Sequence, residues 1–156
     1  MHRLKVFTIH GTDAGNLRHI ASQHYGDKGL QSLGFEKRSI GGAFVIEAVA
    51  KRIAGADLVV AIWTRDEQVI RLNGNVWRPR PNVIAETWYS MLALGLDRVI
   101  WICEEGVDIP TDFGGIGYDS TSGDGAAFAQ LLGTRLEDVI REVWLPLIDH
   151  GGQRGG

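Results

Sequence analysis

An α/β fold class, with a parallel sheet covered by helices on both faces, is predicted for this chain by two observations. Apolar, β-branched runs alternate with segments of helical spacing, and the most apolar run, "ADLVVAIW" (56–63), shows no polar alternation at all. A near-continuous apolar strand is one covered on both faces. Strands separated by single helices imply parallel pairing through right-handed crossovers.

Each element follows in order. "LKVFTI" (4–9) reads as the first strand and stops at His10-Gly11, and "DAGNLRHIASQHY" (13–25) follows with helical spacing at Leu17, Ile20, Ala21 and His24. The Gly-punctuated stretch 26–39 contains "LGFEKRS", whose weak alternation predicts a short second strand. "GGAFVIEAVAKRIAGA" (41–56) is a helix with a stripe through Val45, Ala48, Val49 and Arg52 or Ile53. After the central strand, 64–81 reads as a polar loop with an Asn-Gly turn signal. Helix 82–95, strand "RVIWIC" (98–103), a loop, a brief strand near "IGYDS" and a final helix from about Leu131 to Leu145 complete the series. Five strands in this order predict a flavodoxin-like five-stranded parallel sheet. Such sheets bind ligands beyond the C-terminal ends of their strands. The segments collected there would be His10–Asp13, Ser39–Ala43, Trp63–Asp66 and the start of helix 82–95.

The length, 156 residues, suits one domain with a real core; we assign it to 1–148, with "HGGQRGG" at the end read as a flexible tail or linker stub over 149–156. The net charge is −3 and the 16 Lys and Arg are scattered, which gives no electrostatic case for duplex nucleic acid. The single cysteine, Cys103, lies in an apolar run; it excludes an internal disulfide framework and fits a cytoplasmic protein. No apolar stretch is long enough for a signal peptide or a membrane span, so no membrane partner is expected. The histidines show no metal-ligand spacing, no Ser-His-Asp arrangement is legible, and "GIG" (115–117) is too short for a dinucleotide fingerprint.

The carboxylate that calls for explanation is Glu86, in "RPRPNVIAETWYSMLALG" (78–95). Pro81 disfavours helix at Arg80, and Asn82 is expected as the N-cap. The capping-box partner would then be Ala85, so Glu86 is not a reciprocal cap. Ile84, Trp88, Met91 and Leu92 form the apparent apolar stripe, with Glu86 roughly opposite at ~100° per residue. A carboxylate near the helix start is stabilised in its ionised form by the macrodipole. This favours either a solvated surface glutamate or a charge aimed into a cleft.

Four segments, "VFTIHGTD" (6–13), "ADLVVAIWT" (56–64), "RPRPNVIAETWY" (78–89) and "DRVIWICEEGVDIPTDFGGIGY" (97–118), together resemble the TIR-like nucleotide-binding domain of bacterial defence effectors. The shared pattern is a strand ending in His-Gly, an Arg-x-Arg-x-Asn-Val-x-x-Glu segment, and a strand followed by acidic-Ile-Pro-x-Asp. The resemblance implies a TIR-like version of the flavodoxin-like sheet and, for active members, cleavage of NAD+ at the nicotinamide–ribose bond. It places the catalytic glutamate at Glu86. It further implies self-association through TIR–TIR contacts, with the loop around Ile40–Gly42 meeting a neighbour, and a fused or partner sensor domain. NAD+ would be substrate, and no cofactor is implied. Two departures stand out: Trp88 replaces a glycine often found two residues after the glutamate, and 26–39 matches poorly.

Substrate-binding candidates surround Glu86 in this scheme. His10, Gly11 and Thr12 end the first strand, where a backbone can approach phosphate or ribose; His10 is equally a strand-end histidine before a turn. Gly42 belongs to the loop "IGG". Arg65 and Arg80, with Arg78, could clamp pyrophosphate through forked donors or simply be solvated. Trp63 could stack on nicotinamide or adenine, or serve as a core tryptophan. Asn82 and Tyr89 flank Glu86. Two rivals remain: a non-catalytic TIR interaction module, and a nucleoside deoxyribosyltransferase-like enzyme that uses a glutamate nucleophile.

Overall fold

A computed structural model describes residues 3–11, 15–34 and 42–146. The elements are β1 (Lys5–His10), α1 (Gly15–Asp27), β2 (Gln31–Leu33), α2 (Gly42–Ala54), β3 (Leu58–Trp63), β4 (Glu67–Val69), β5 (Val76–Arg78), α3 (Pro81–Leu94), β6 (Val99–Glu104), β7 (Asp119–Thr121) and α4 (Gly125–Val139). A π-helical turn, Ile140–Trp144, extends α4.

The main sheet has five strands in the order β2-β1-β3-β6-β7, and every pairing is parallel. Counting only its own strands, this is the 2-1-3-4-5 order of the flavodoxin-like class. The expected parallel α/β sheet is therefore present.

Alternation along β3 explains its unbroken apolar sequence. Val60 and Ile62 join the core beneath α1 and α4, with Leu17, Tyr25, Phe128 and Leu132. Val59, Ala61 and Trp63 join the other core, with Ile53 of α2, Val83 and Met91 of α3, and Trp101. All six strand residues are buried, as a two-faced apolar strand requires. Cys103 is likewise a buried, free cysteine, whose thiol burial pushes toward higher pKa.

Three elements differ from expectation. The second strand is Gln31–Leu33, just before the expected run, whose remainder beyond Gly34 lies outside the described residues. The polar segment 64–81 holds an antiparallel hairpin, β4–β5, with Glu67 opposite Arg78 and Val69 opposite Val76. Its strands are three residues each, too short to display a period. The last helix starts at Gly125 rather than Leu131, capped by the Asp124 side chain accepting from Ala127 N at 2.9 Å. Phe128, Leu132, Leu136 and Val139 are its buried face. The expected tail at 149–156 lies outside the described residues, and among those described no helix is long and apolar enough to cross a membrane.

Candidate active site on helix α3

Helix α3 begins one residue earlier than the sequence predicts. Arg80 is its N-cap residue, without a side-chain cap bond, and Pro81 occupies the first turn. Proline suits that place because its missing N–H would be unpaired anyway and its φ is already helical. Asn82 is thus inside the helix and not its cap, and the first turn holds no acidic residue. Glu86 sits in the second turn, where the macrodipole has largely faded.

The buried face of α3 also differs from the expected stripe. Val83, Thr87, Ser90 and Met91 are buried, whereas Leu92 is 72% exposed and Trp88 38%. Two hydroxyl residues occupy core positions because both are hydrogen-bonded, which removes the penalty for burying them. Thr87 Oγ1 donates to Val83 O at 2.7 Å and accepts from Trp63 Nε1 at 2.9 Å, while Ser90 Oγ donates to Glu86 O at 2.7 Å. With the buried face centred there, Glu86 lies about a quarter-turn from its middle at ~100° per residue. It is a flanking, half-buried residue instead of an outward-facing one.

That flank forms one wall of a groove of about 560 Å³ between α2 and α3. Val49, Ala50 and Ile53 line it from α2; Pro81, Asn82, Ala85, Glu86 and Tyr89 line it from α3. The volume falls in the ~300–1,000 Å³ range of small-molecule sites. Among the described residues of this mostly apolar lining, Glu86 is the single carboxylate. Burial raises its pKa above the usual glutamate value, and a side-chain hydrogen bond with Asn82 opposes that rise. The expectation that the helix dipole governs Glu86 is corrected: desolvation wins, because the carboxylate is in the second turn and against apolar side chains.

The other expected site residues do not all gather at the groove. Asn82 and Tyr89 share the groove with Glu86. Arg80 stands at the helix start as its N-cap residue. His10 is half-buried at the end of β1, its Nδ1 donating to Gly11 O at 3.0 Å. Gly42 opens α2; Thr12, Ile40 and Gly41 lie outside the described residues.

Three expectations are corrected by contacts. Trp63 is fully buried, bonded to Thr87 and packed edge-on to Trp101 at 4.8 Å between ring centroids, so it is a core residue that no ligand can stack on. Arg65 commits its fork to Glu104, with Nε and Nη2 at 3.1 and 3.0 Å from Oε1, while its backbone N reaches Oε2 at 3.0 Å. It is not a free phosphate clamp. The face of Gly11 where a Cβ would project is filled by the Asp66 carboxylate, which repels phosphate. Arg78 sits in the hairpin, 3.4 Å from Glu67.

Trp88 rests on Phe113, with centroids 5.1 Å apart. The ring that replaces the usual glycine is thereby absorbed by packing outside the groove lining. Among the described residues no group of three His, Cys, Asp or Glu could hold a metal ion. Sequence reasoning gives Asp66 no role beyond its place in the segment Trp63–Asp66; its carboxylate accepts from Thr64 Oγ1 and Arg80 N. The Thr64 bond is local to "WTRDE", but nothing in that stretch announces the bond from Arg80 N.

A family model described as "CAP12/Pycsar effector protein, TIR domain" matches residues 5–123. The chain belongs to this TIR-domain family. The matched region runs from β1 to just past β7 and contains the whole α2–α3 groove. Similarity extends to the uncharacterized protein YuaY of Escherichia coli (strain K12), 25% identical over 130 residues, covering 82% of this chain and 43% of that protein. This TIR domain therefore spans less than half the length of that relative. Among solved structures it is similar to the Clostridium botulinum CMP N-glycosidase BcmB, with a TM-score of 0.57 and 11% identity over 83% of this chain and 98% of that one. At that identity the likeness speaks to the fold.

Proposed function

We propose that this TIR domain is an N-glycosidic-bond hydrolase of the defence-effector type, with NAD+ as substrate and Glu86 as the catalytic carboxylate. The observation that carries the reading is a half-buried carboxylate, braced by Asn82, on the wall of a groove whose described lining is mostly apolar. In NAD+ the leaving group is a pyridinium. Heterolysis of the C1′–N bond returns the electron pair to the ring nitrogen, and nicotinamide departs neutral without needing a proton. The positive charge then resides on C1′ and the ring oxygen of the ribose. One ionised carboxylate placed beside the ribose stabilises that cation and holds the ribose hydroxyls, an interaction stronger in the transition state than in the ground state. Water attacks C1′ and loses a proton, giving ADP-ribose; capture by the adenine end would instead give a cyclised product.

Asn82 orients the carboxylate, Tyr89 offers a hydroxyl at the groove rim, and Arg80 offers a guanidinium for the pyrophosphate. Activity is proposed to depend on self-association, with the segment around Ile40–Gly42 meeting a second copy, and on a sensor domain elsewhere in the protein or in a partner.

A second reading, hydrolysis of a nucleoside monophosphate, draws support from the fold shared with a CMP N-glycosidase. Cytosine leaves less readily than nicotinamide and calls for a proton donor, a role Glu86 would fill in its protonated form. Incubating the chain separately with NAD+ and with CMP, and following free base by chromatography, tests both. Nicotinamide release without cytosine release is the expected result; cytosine release alone would replace the first reading with the second. Release of neither at any protein concentration would leave a non-catalytic TIR module.

A further inference from the structure

We propose that Asp66 is a positioning residue for the α3 groove, and that position 11 is glycine to leave room for the Asp66 carboxylate. The inference rests on the reading of that groove as the reaction site. It starts from a helix with an unusual beginning: the N-cap residue Arg80 supplies no side-chain cap, and Pro81 brings no N–H. Pro81 presets the first helical φ, but the α3 start has no side-chain cap of its own.

Asp66 fixes it from outside. Its Oδ2 accepts from Arg80 N at 3.2 Å and its Oδ1 accepts from Thr64 Oγ1 at 2.7 Å. Its backbone N donates to Arg78 O at 3.1 Å and to Thr64 O at 2.9 Å. One residue thus closes the base of the β4–β5 hairpin, ties it to the end of β3, and holds the N-cap residue of the helix that carries Asn82 and Glu86. A charge-assisted bond to a backbone N–H at this place serves as a cap supplied by tertiary structure.

Gly11 completes the arrangement from β1. A Cβ there would lie 2.5 Å from Asp66 Cγ and 2.7 Å from Oδ1, closer than real Cβ atoms come. Gly11 is not among the glycines with positive φ, so the requirement is space and not backbone freedom. An alanine at 11 must push the carboxylate away from Thr64 and Arg80. Gly11→Ala and Asp66→Ala should then remove the same support by opposite means, one by displacing the carboxylate and the other by deleting it.

The test is a double-mutant cycle on the full chain with Asp66→Ala, Gly11→Ala and the pair, alongside Asp66→Asn, which keeps one acceptor oxygen. Two quantities are read: hydrogen exchange at the Arg80 backbone amide, and kcat and KM for nicotinamide release from NAD+. Both single variants should speed Arg80 exchange and lower kcat by about 10- to 100-fold, the scale of a misplaced catalytic group. KM should change less, the double variant should be no worse than the worse single, and Asp66→Asn should fall between it and the parent. Multiplying losses in the double variant, a rise in KM with kcat intact, or unchanged Arg80 exchange in Asp66→Ala would each overturn the proposal. If Asp66→Ala does not fold, Asp66→Asn and Gly11→Ala carry the same comparison. A parent without NAD+ turnover would end the functional reading, while the exchange data would still decide whether Asp66 holds the helix.

Discussion

Replacing Thr87 by valine removes one hydroxyl and strands a buried indole. Thr87 and Trp63 are both fully buried, and the Trp63 N–H has Thr87 Oγ1, at 2.9 Å, as its partner. The variant keeps the β-branched shape but leaves that N–H unsatisfied in an apolar setting, which costs about 1–3 kcal/mol. For a chain of this size, where each kcal/mol is worth about 2–4 °C, the melting temperature should fall by roughly 2–12 °C. Thr87→Ser retains the hydroxyl and loses one methyl group, for a smaller loss of about 0.8 kcal/mol. Urea unfolding followed by tryptophan fluorescence gives both values. Thr87→Val within about 0.5 kcal/mol of the parent, the range of an inert surface change, or Thr87→Ser as the weaker of the two, would refute the claim that this hydrogen bond pins α3 to β3.

The raised pKa of Glu86 makes a signed prediction about stability. Its folded-state pKa exceeds its unfolded value, so the contribution is fully present below the unfolded pKa, near 4.5, and is lost as pH rises through the folded one. Glu86→Gln should therefore be no less stable than the parent at neutral pH, and its advantage should shrink as pH falls toward the ordinary glutamate value; a destabilised variant at neutral pH, seen by thermal melting, would contradict this. If ionised Glu86 stabilises the ribosyl cation, kcat/KM should fall on the acid side at a pH above the ordinary glutamate range, and a limb at or below that range would argue against it. Ala50→Trp, placed on the α2 wall, should raise KM for NAD+ at least tenfold without loss of the native fold by circular dichroism; an unchanged KM would put the substrate elsewhere. Specific activity should rise steeply with protein concentration, and an undiminished rate per molecule in dilute monomer would remove the assembly requirement.

The sheet was legible because its central strands are long and apolar and its helices separate them one by one. The alternation in β3 sends Val60 and Ile62 to one core and Trp63 to the other, which no single-faced strand would permit. The β4–β5 hairpin was not legible, because three-residue strands have no period to detect. On α3 the sequence misled. Treating Thr87 and Ser90 as polar moved the supposed apolar stripe toward Trp88 and Leu92, and turned Glu86 outward. Their hydroxyls are satisfied inside the core, so the true face passes through them and leaves Glu86 at its edge. Pro81 keeps Arg80 out of the helix as expected, but the helix begins at Pro81 itself and not after a cap at Asn82. Glu86, Asn82 and Tyr89 were found together because helical spacing of three and four residues brings them to one side. Asp66 received no individual role because Arg80 and the space beside Gly11, which it meets in the fold, are distant in sequence.

The role assigned to Glu86 is tested most directly by a single-turnover measurement of nicotinamide release from NAD+ by Glu86→Gln beside the parent, at a protein concentration where the parent is active. Glutamine keeps the size and hydrogen-bonding reach of the side chain and removes its negative charge. Loss of one preorganised electrostatic group should slow the step by on the order of 10²–10³, about 3–4 kcal/mol in the barrier, with an unchanged circular dichroism spectrum. A variant that releases nicotinamide at the parent's rate would show that the α2–α3 groove does not use this carboxylate for chemistry.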